Sequence, residues 1–291
     1  MPNFEYRALR VIRDGRIVTI LIDNPPLNML TRELLEDLDH VVDALSADPE
    51  PLVVVIKSSD PDIFMTHAEF TTLYAIQPPA VPATVEEVEI NAVQSICERL
   101  RAMDKVSIAQ VEGRVAGAGA AMVMACDMRF GALNKAVFNT MSVPLGTVPG
   151  GGASQYMPRL IGYSRSMELI LGGLDLDAET AEHWGYLNRA LAPDLIDAYV
   201  TGLASRISLC PTDAVRLTKE VLSLSDVSID RGLREESFRF RRLFPTESSR
   251  RLVNAFLDAG GETREGELRI EALLGEALER AESERGTQSQ A

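Results

Sequence analysis

Residues 111–130, VEGRVAGAGAAMVMACDMRF, decide the fold of this chain. A strand that ends at Val111 runs into a glycine-rich turn, and a helix of small residues begins at once. The N-terminus of such a helix offers unpaired N–H groups at the positive end of the helix dipole, which together stabilise a negatively charged oxygen. Gly117 and Gly119 let a ligand approach the backbone closely. The stretch predicts an oxyanion site, although tight helix packing through small residues explains it about equally well.

Other interpretations of the glycine-rich loops are weaker. A dinucleotide fingerprint GxGxxG fails in the first stretch, because its third glycine position is Met122. Residues 64–70 (FMTHAEF) follow a buried strand and could supply a second backbone donor, but an ordinary strand-to-helix connection has the same pattern. Residues 146–152 (GTVPGGG) precede a helix but lack the GK[ST] ending of a phosphate-binding P-loop.

The rest of the chain alternates between strand-like and helix-like segments. Residues 16–22 and 52–57 are predicted strands, and the second is a continuous β-branched run that is typical of burial on both faces. Thr31 can cap the helix between them, and a charged helix is expected at about residues 85–103. The alternation predicts an α/β fold with parallel strands.

Beyond residue 162 the pattern is almost entirely helical. The last helix is expected at residues 264–284, where charged and apolar positions alternate at helical spacing. The polar tail from Ser283 has the composition of a disordered segment.

Composition and charge restrict the function. The chain has 29 Lys+Arg and 43 Asp+Glu, and its formal net charge of −14 argues against a nucleic-acid partner. Its three cysteines and three histidines show no metal-binding spacing, which favours a reducing compartment and no metal site. The N-terminus lacks an apolar signal segment, and the apolar run at residues 115–126 is too short to cross a bilayer. We expect a cytoplasmic protein without membrane contact.

Five segments occur in an order that resembles the crotonase (enoyl-CoA hydratase/isomerase) superfamily, over about residues 11–222. They are residues 24–30 (NPPLNML), 64–70, 111–130, 145–162 (LGTVPGGG, then PRLIG) and 178–189. Each motif alone is unspecific, but five in this order are a strong signal. The resemblance implies an α/β fold with a core of ββα repeats in a ClpP-like spiral at residues 1–205. It also implies a helical trimerisation region at 206–282, followed by the tail at 283–291.

The same resemblance implies that the chain binds an acyl thioester. The backbone N–H groups of Ala68 and Ala118 would form an oxyanion hole for the thioester carbonyl. The further substrate contacts implied in this way are Thr66, Gly117, Ala121 and Met141. Coenzyme A would enter as part of the substrate, with no permanently bound cofactor, and the subunits would form a homotrimer or hexamer.

The residues that perform the chemistry depart from the family pattern. The two positions that carry the hydratase glutamates are Ala121 and Ser142 here, and neither side chain can act as a general acid–base group. Hydration by the standard two-glutamate route is therefore not expected. The candidate replacements are His67, Ser142 and Glu69, of which His67 titrates near neutrality. Each of these three also has an ordinary structural explanation.

The predicted function is an acyl-thioester enzyme of lyase or isomerase type that stabilises an enolate by backbone N–H groups. A noncatalytic acyl-thioester binding or assembly protein and a thioester hydrolase are the alternatives. The C-terminal stretch that carries basic coenzyme A contacts in relatives reads FLDAGGETR from Phe256, with one late arginine. This leaves coenzyme A and a carrier protein both open as the thiol, with Arg239, Arg241 and Arg242 as alternative phosphate contacts.

Overall fold

A computed structural model describes the chain over residues 5–71, 83–210, 212–223 and 229–288. The strands are β1 (Leu9–Asp14), β2 (Ile17–Ile22), β3 (Val53–Ser58), β4 (Ile63–Met65), β5 (Val106–Val111), β6 (Arg114–Ala116), β7 (Met128–Ala132), β8 (Val137–Asn139), β9 (Leu176–Asp177) and β10 (Arg189–Leu191). The helices are α1 (Arg32–Ala47), α2 (Ala92–Ala102), α3 (Ala118–Ala125), α4 (Ala153–Ile161), α5 (Tyr163–Gly172), α6 (Ala178–Trp184), α7 (Ile196–Ser208), α8 (Thr212–Ser223), α9 (Ile229–Leu243), α10 (Glu247–Asp258), α11 (Arg264–Leu268) and α12 (Ile270–Gln288).

Three consecutive ββα units build the core, namely β3–β4–α2, β5–β6–α3 and β7–β8–α4. The first strand of each unit joins a six-stranded sheet of order β1-β2-β3-β5-β7-β10, and the second joins a four-stranded sheet of order β4-β6-β8-β9. Neighbouring strands are parallel except for β1 with β2 and β8 with β9. The predicted α/β fold with ββα repeats is confirmed.

The large sheet is covered on both faces, which explains the β-branched run in β3. Val54 and Ile56 belong to the main hydrophobic cluster, which also includes the apolar face of α1. Val53 and Val55 point to the opposite face and pack in a second cluster with residues of α7. Because successive side chains of a strand alternate between the two faces, both sets must be apolar.

Helices α8 to α12 lie in the predicted helical C-terminal region, and α9 to α12 pack beside the small sheet. One hydrophobic cluster joins Phe256, Leu273 and Leu274 of these helices to Phe70 and Met141 of the core. A space lies between the C-terminal region and the ββα units, and the C-terminal helices form one of its walls.

The helix expected at residues 85–103 is shorter than predicted. A single 3₁₀ turn covers Val85–Glu87, and α2 begins only at Ala92. The reason is a capping box, in which the Asn91 side chain accepts from the backbone N–H of Gln94 and the Gln94 side chain accepts from that of Asn91. The proline-rich loop before it, at residues 78–82, lies outside the described residues.

The helix expected at residues 264–284 is two helices. α11 ends at Leu268, and Arg269, with φ −125° and ψ 32°, turns the chain before α12 begins. α12 continues past Ser283, where the disordered tail was expected to begin, and ends at Gln288; residues 289–291 are not described. Strand β1 was not predicted, because its sequence LRVIRD carries charged residues on its exposed side.

Candidate active site

A cavity of about 370 Å³ lies at the carboxyl ends of β4, β6 and β8, with α9 and α10 on its opposite side. Ligands of α/β proteins commonly bind at this edge of a parallel sheet. Much of the lining is apolar, and the larger apolar side chains are Leu35, Phe70, Val93, Leu145, Phe240 and Phe244. The cavity can therefore hold a short acyl group and exclude water from it.

The turn NPPLNML fixes the loop that carries Ala68. The Asn28 side chain, buried at 1% exposure, donates to the carbonyl oxygens of Ile63 and Phe64 at 3.2 and 3.3 Å. Leu30 then forms a parallel β-bridge with Ala68, in which Leu30 N–H donates to the His67 carbonyl at 3.0 Å and the Glu69 N–H donates to the Leu30 carbonyl at 3.3 Å. These bonds leave the Ala68 N–H directed away from Leu30.

Ala118 is the first residue of α3, and its N–H is one of the donors that a helix start leaves without an intrahelical partner. Gly117 before it has φ 52°, a conformation that favours glycine. The next N–H, that of Gly119, donates to the Thr66 carbonyl at 3.2 Å. This bond ties the start of α3 to the loop that carries Ala68.

The two loops touch closely. A Cβ added at Gly117 would lie 2.7 Å from the Cβ of His67, so only glycine fits there. Ala68 and Ala118 both line the cavity, and their N–H groups form no hydrogen bond with any described residue. Two such donors can stabilise a developing oxyanion, a contribution of roughly 10²–10³ in rate for each donor.

His67 lines the same cavity and forms a buried pair with Glu267 of α11. The His67 Nε2 lies 2.7 Å from Glu267 Oε1, and the side chains are 3% and 0% exposed. The other ring nitrogen, Nδ1, lies 2.9 Å from the Ala68 carbonyl oxygen. Both ring nitrogens are therefore engaged with protein oxygens rather than free toward the cavity.

Charge in this pair is favoured despite its burial. Burial alone would lower the pKa of His67, but the charge of Glu267 and its hydrogen bond outweigh that effect and raise the pKa above 6.5. Burial would likewise raise the pKa of Glu267, but the charge of His67 and its hydrogen bond hold the pKa below 4.5. Both shifts favour an imidazolium paired with a carboxylate over the neutral pair.

The structure brings together some of the predicted site residues and not others. Gly117, Met141 and Ser142 line the cavity together with Ala68, Ala118 and His67. Thr66 and Ala121 are fully buried and do not line it. Glu69 is half-buried and is also not part of the lining. The exposed glutamates before α2, Glu86, Glu87 and Glu89, lie on a solvated surface.

Carboxylates are missing from the cavity wall as far as the described residues go. Apart from His67, its one ionisable lining residue in the described ranges is Arg241, and the side chain of Arg239 is not described. Thr140 lines the cavity at 3% exposure, and its hydroxyl has no hydrogen-bond partner among the described residues. Thr140 and Ser142 thus offer two neighbouring side-chain hydroxyl groups to a polar substrate atom in the cavity.

The described part of the chain contains neither a metal-binding cluster nor a membrane-spanning helix. No group of three or more His, Cys, Asp or Glu side chains within it could hold a metal ion. No helix within it is long and apolar enough to cross a membrane.

Comparison with known proteins agrees with this geometry. The family model for enoyl-CoA hydratase/isomerase matches residues 13–264. The chain belongs to the enoyl-CoA hydratase/isomerase family. The short-chain-enoyl-CoA hydratase of Clostridium acetobutylicum is 27% identical over 249 residues, which are 84% of this chain and 93% of that protein. The crotonyl-CoA hydratase of Syntrophomonas wolfei is 28% identical over 256 residues, covering 87% and 96%.

The crotonase fold is equally clear in three dimensions. The crystal structure of a Streptomyces avermitilis protein assigned as an enoyl-CoA hydratase superposes with a TM-score of 0.85 at 30% identity. The superposition covers 94% of this chain and 100% of that one. At this coverage the superposition extends beyond the ββα core into the C-terminal region.

Glu267 is the residue of this family member's site that sequence reasoning missed. It lies 200 positions after His67, in a charged segment that resembles a solvated helix face. Glu262, which accepts from the Phe70 N–H at 2.8 Å, was missed for the same reason. No local pattern marks either residue, because the contact depends on how α11 docks.

Proposed function

We propose that this protein acts on acyl thioesters as a lyase or isomerase, with an enolate stabilised by the Ala68 and Ala118 N–H groups. Membership of the family supports an acyl-CoA substrate, with coenzyme A present only as part of that substrate. The observation that carries the proposal is a pair of backbone donors facing an apolar cavity whose described lining holds no carboxylate.

The lack of carboxylates favours one type of chemistry over hydration. Adding water to an enoyl thioester needs acid–base groups that contribute typically 10²–10⁴-fold each. When a malonyl-type thioester loses CO2, the electron pair of the broken bond at the α-carbon passes to the thioester carbonyl without a base, and the enolate then takes a proton from water. Retro-Claisen cleavage needs one further step, in which water adds to the β-carbonyl group so that the acyl fragment leaves as a carboxylic acid. An oxyanion hole alone can stabilise the resulting enolate. A lyase of this type is therefore the version of the proposal that the cavity supports best.

A thioester hydrolase is less well supported. Ser142 could serve as its nucleophile only if a base accepted the hydroxyl proton. His67 is the one described histidine at the cavity, and its two nitrogens already lie within hydrogen-bonding distance of the Ala68 carbonyl oxygen and Glu267 Oε1. A noncatalytic binding protein would have the same donors without turnover, and the experiment below separates it from an enzyme.

The proposal also includes the thiol that carries the acyl group and the oligomeric state of the protein. Arg241 at the cavity is the described cation that could meet a phosphate of coenzyme A or of a carrier-bound cofactor arm. We expect a homotrimer or hexamer, as the family resemblance implies, and a location in the cytoplasm.

The test is a thioester panel assayed beside the Syntrophomonas wolfei crotonyl-CoA hydratase. Malonyl-CoA and acetoacetyl-CoA report cleavage at the α-carbon, and crotonyl-CoA reports hydration. We expect cleavage of a β-oxygenated thioester, with crotonyl-CoA hydration at least about 10²-fold slower than in the relative.

The outcomes separate the candidates. Crotonyl-CoA hydration at the relative's rate would contradict the proposal. Calorimetric binding without turnover of any of the three thioesters would support the binding protein instead. No binding of any of them would remove the coenzyme A ester from consideration.

A further inference from the structure

The His67–Glu267 pair has no part in the cleavage chemistry above, yet it lies directly beside the oxyanion hole. Removing two charges from water costs several kcal/mol for each ion, so a buried pair of this kind is not explained by stability alone. Its position supplies another explanation, because one of its hydrogen bonds ends on Ala68.

The partners of the histidine ring determine its protonation. Nδ1 faces the Ala68 carbonyl oxygen, which can only accept a hydrogen bond. Nε2 faces Glu267 Oε1, which also accepts from the backbone N–H of Glu262 at 3.2 Å. Nδ1 is therefore a donor, and the carboxylate opposite Nε2 favours a proton on that nitrogen as well.

The orientation of Ala68 shows why such a donor is needed. An extended residue directs its N–H and its C=O to the same side of the strand. Because the bridge to Leu30 uses the His67 carbonyl and the Glu69 N–H, Ala68 directs both of its own groups away from Leu30. A free carbonyl there would place its negative end beside the thioester oxygen and oppose the oxyanion.

We infer that Glu267 holds His67 as an imidazolium whose Nδ1–H occupies the Ala68 carbonyl, so that both side chains are positioning residues for the oxyanion hole. The inference rests on the proposed function. His67 then acts through Ala68, by fixing the loop and by neutralising the carbonyl dipole, and not as a general base.

The surroundings of the ring agree with a fixed cation. Phe70 stacks on it at a centroid distance of 4.7 Å, and Phe256 meets it edge-on at 5.9 Å. The charged groups that act on the pair from neighbouring elements are Glu262, which favours the imidazolium, and Arg114, which favours the Glu267 carboxylate. The two aromatic rings pack against the imidazole, which is 3% exposed.

The first test is the ¹⁵N spectrum of the imidazole rings in the full-length protein. The chain has three histidines, so His40 and His183 are assigned by substitution. At about pH 7.5, roughly one unit above the ordinary histidine pKa, we expect both nitrogens of His67 to carry protons. Glu267→Gln should make the ring neutral, whereas Glu267→Asp should keep it charged. A neutral His67 in the wild type would overturn the inference.

The second test compares two ligands, acetoacetyl-CoA, which forms an enolate, and butyryl-CoA, which does not. We expect Glu267→Gln to reduce the preference for acetoacetyl-CoA about tenfold, equivalent to about 1.4 kcal/mol. Damage to the pocket alone would weaken the binding of both ligands equally. The matched control is Asp127→Asn, which removes a carboxylate bound to Lys219 away from the cavity and should leave the preference unchanged.

The two tests separate this inference from the proposed function. A wild-type protein with no preference for acetoacetyl-CoA would contradict the oxyanion hole itself, and the inference with it. A wild-type preference that survives Glu267→Gln would overturn the inference and leave the proposed function intact. Should Glu267→Gln not fold, His67→Gln gives the same comparison, because its amide is uncharged.

Discussion

The α-carbon of Gly119 packs against the backbone of Met65 so closely that a Cβ at position 119 would lie 2.2 Å from the Met65 carbonyl oxygen. This contact brings the first turn of α3 against the end of β4. Since Ala118 lies at the start of α3 and Ala68 lies just beyond β4, the contact sets the separation of the two oxyanion donors.

Gly119→Ala should therefore push the two loops apart, because the atom that it meets is backbone and cannot rotate away. We expect a loss of at least about 2 kcal/mol in the free energy of unfolding, measured by urea denaturation. The control is Gly202→Ala in α7, where no atom lies within 4 Å of the new methyl group. That change should be stabilising by about 0.5–1 kcal/mol. Equal stabilities for the two variants would contradict the close contact.

The His67–Glu267 pair predicts a specific dependence of stability on pH. Because the pKa of His67 is raised, its contribution to the free energy of unfolding is complete below pH 6.5 and is lost as pH rises through the folded-state pKa. The lowered pKa of Glu267 means that its contribution is complete above pH 4.5 and is lost as pH falls. The free energy of unfolding of the wild type should therefore exceed that of Glu267→Gln by the largest amount between pH 4.5 and 6.5.

Within that window we expect a difference of about 3 kcal/mol in the free energy of unfolding, the cost of leaving one buried partner uncompensated. Urea denaturation at a series of pH values measures it. A difference that keeps growing above pH 6.5, or that is independent of pH, would show that the pair is not ionised.

The two positions of the missing glutamates should respond differently when a carboxylate is introduced. Ser142 is half-buried and lines the cavity, so Ser142→Glu should place its carboxyl group beside the substrate and raise crotonyl-CoA hydration. An increase of about 10²-fold over the wild type is the expected size for one acid–base group.

Ala121 is the matched position, because it is 0% exposed and lies against Gly151. Ala121→Glu should lower the free energy of unfolding by about 3 kcal/mol, since its charge has no described partner there. Hydration assays and denaturation of both variants test these expectations. If Ala121→Glu alone gave the larger gain in hydration, the placement of the cavity wall would be wrong.

Much of the fold could be predicted from local patterns. The buried run in β3, the Thr31 cap of α1 and the small-residue start of α3 each carry their signal within a few residues. The order of the motifs then indicated Ala68 and Ala118, and the structure places both at one cavity.

The rest could not be predicted because it depends on contacts between distant segments. The turn at Arg269 interrupts an otherwise helical pattern between Glu267, which is fully buried, and α12, which packs against the core through Leu273 and Leu274. No residue near His67 in sequence indicates that its ring nitrogens are occupied, since the partner lies 200 positions away. The histidine could thus be predicted from the sequence, but the pairing that limits its chemistry could not.

The central claim is that backbone N–H groups polarise the thioester carbonyl, and Ala118→Pro tests it at one atom. Proline removes the N–H yet is well tolerated at the first position of a helix, which is where Ala118 lies. Ala118→Gly keeps the N–H and serves as the control.

The measurement is the infrared stretching frequency of the ¹³C-labelled thioester carbonyl of bound butyryl-CoA. We predict a shift to lower frequency, relative to the free ligand, in the wild type and in Ala118→Gly, and a much smaller shift in Ala118→Pro. An equal shift in Ala118→Pro would contradict the oxyanion hole at Ala68 and Ala118.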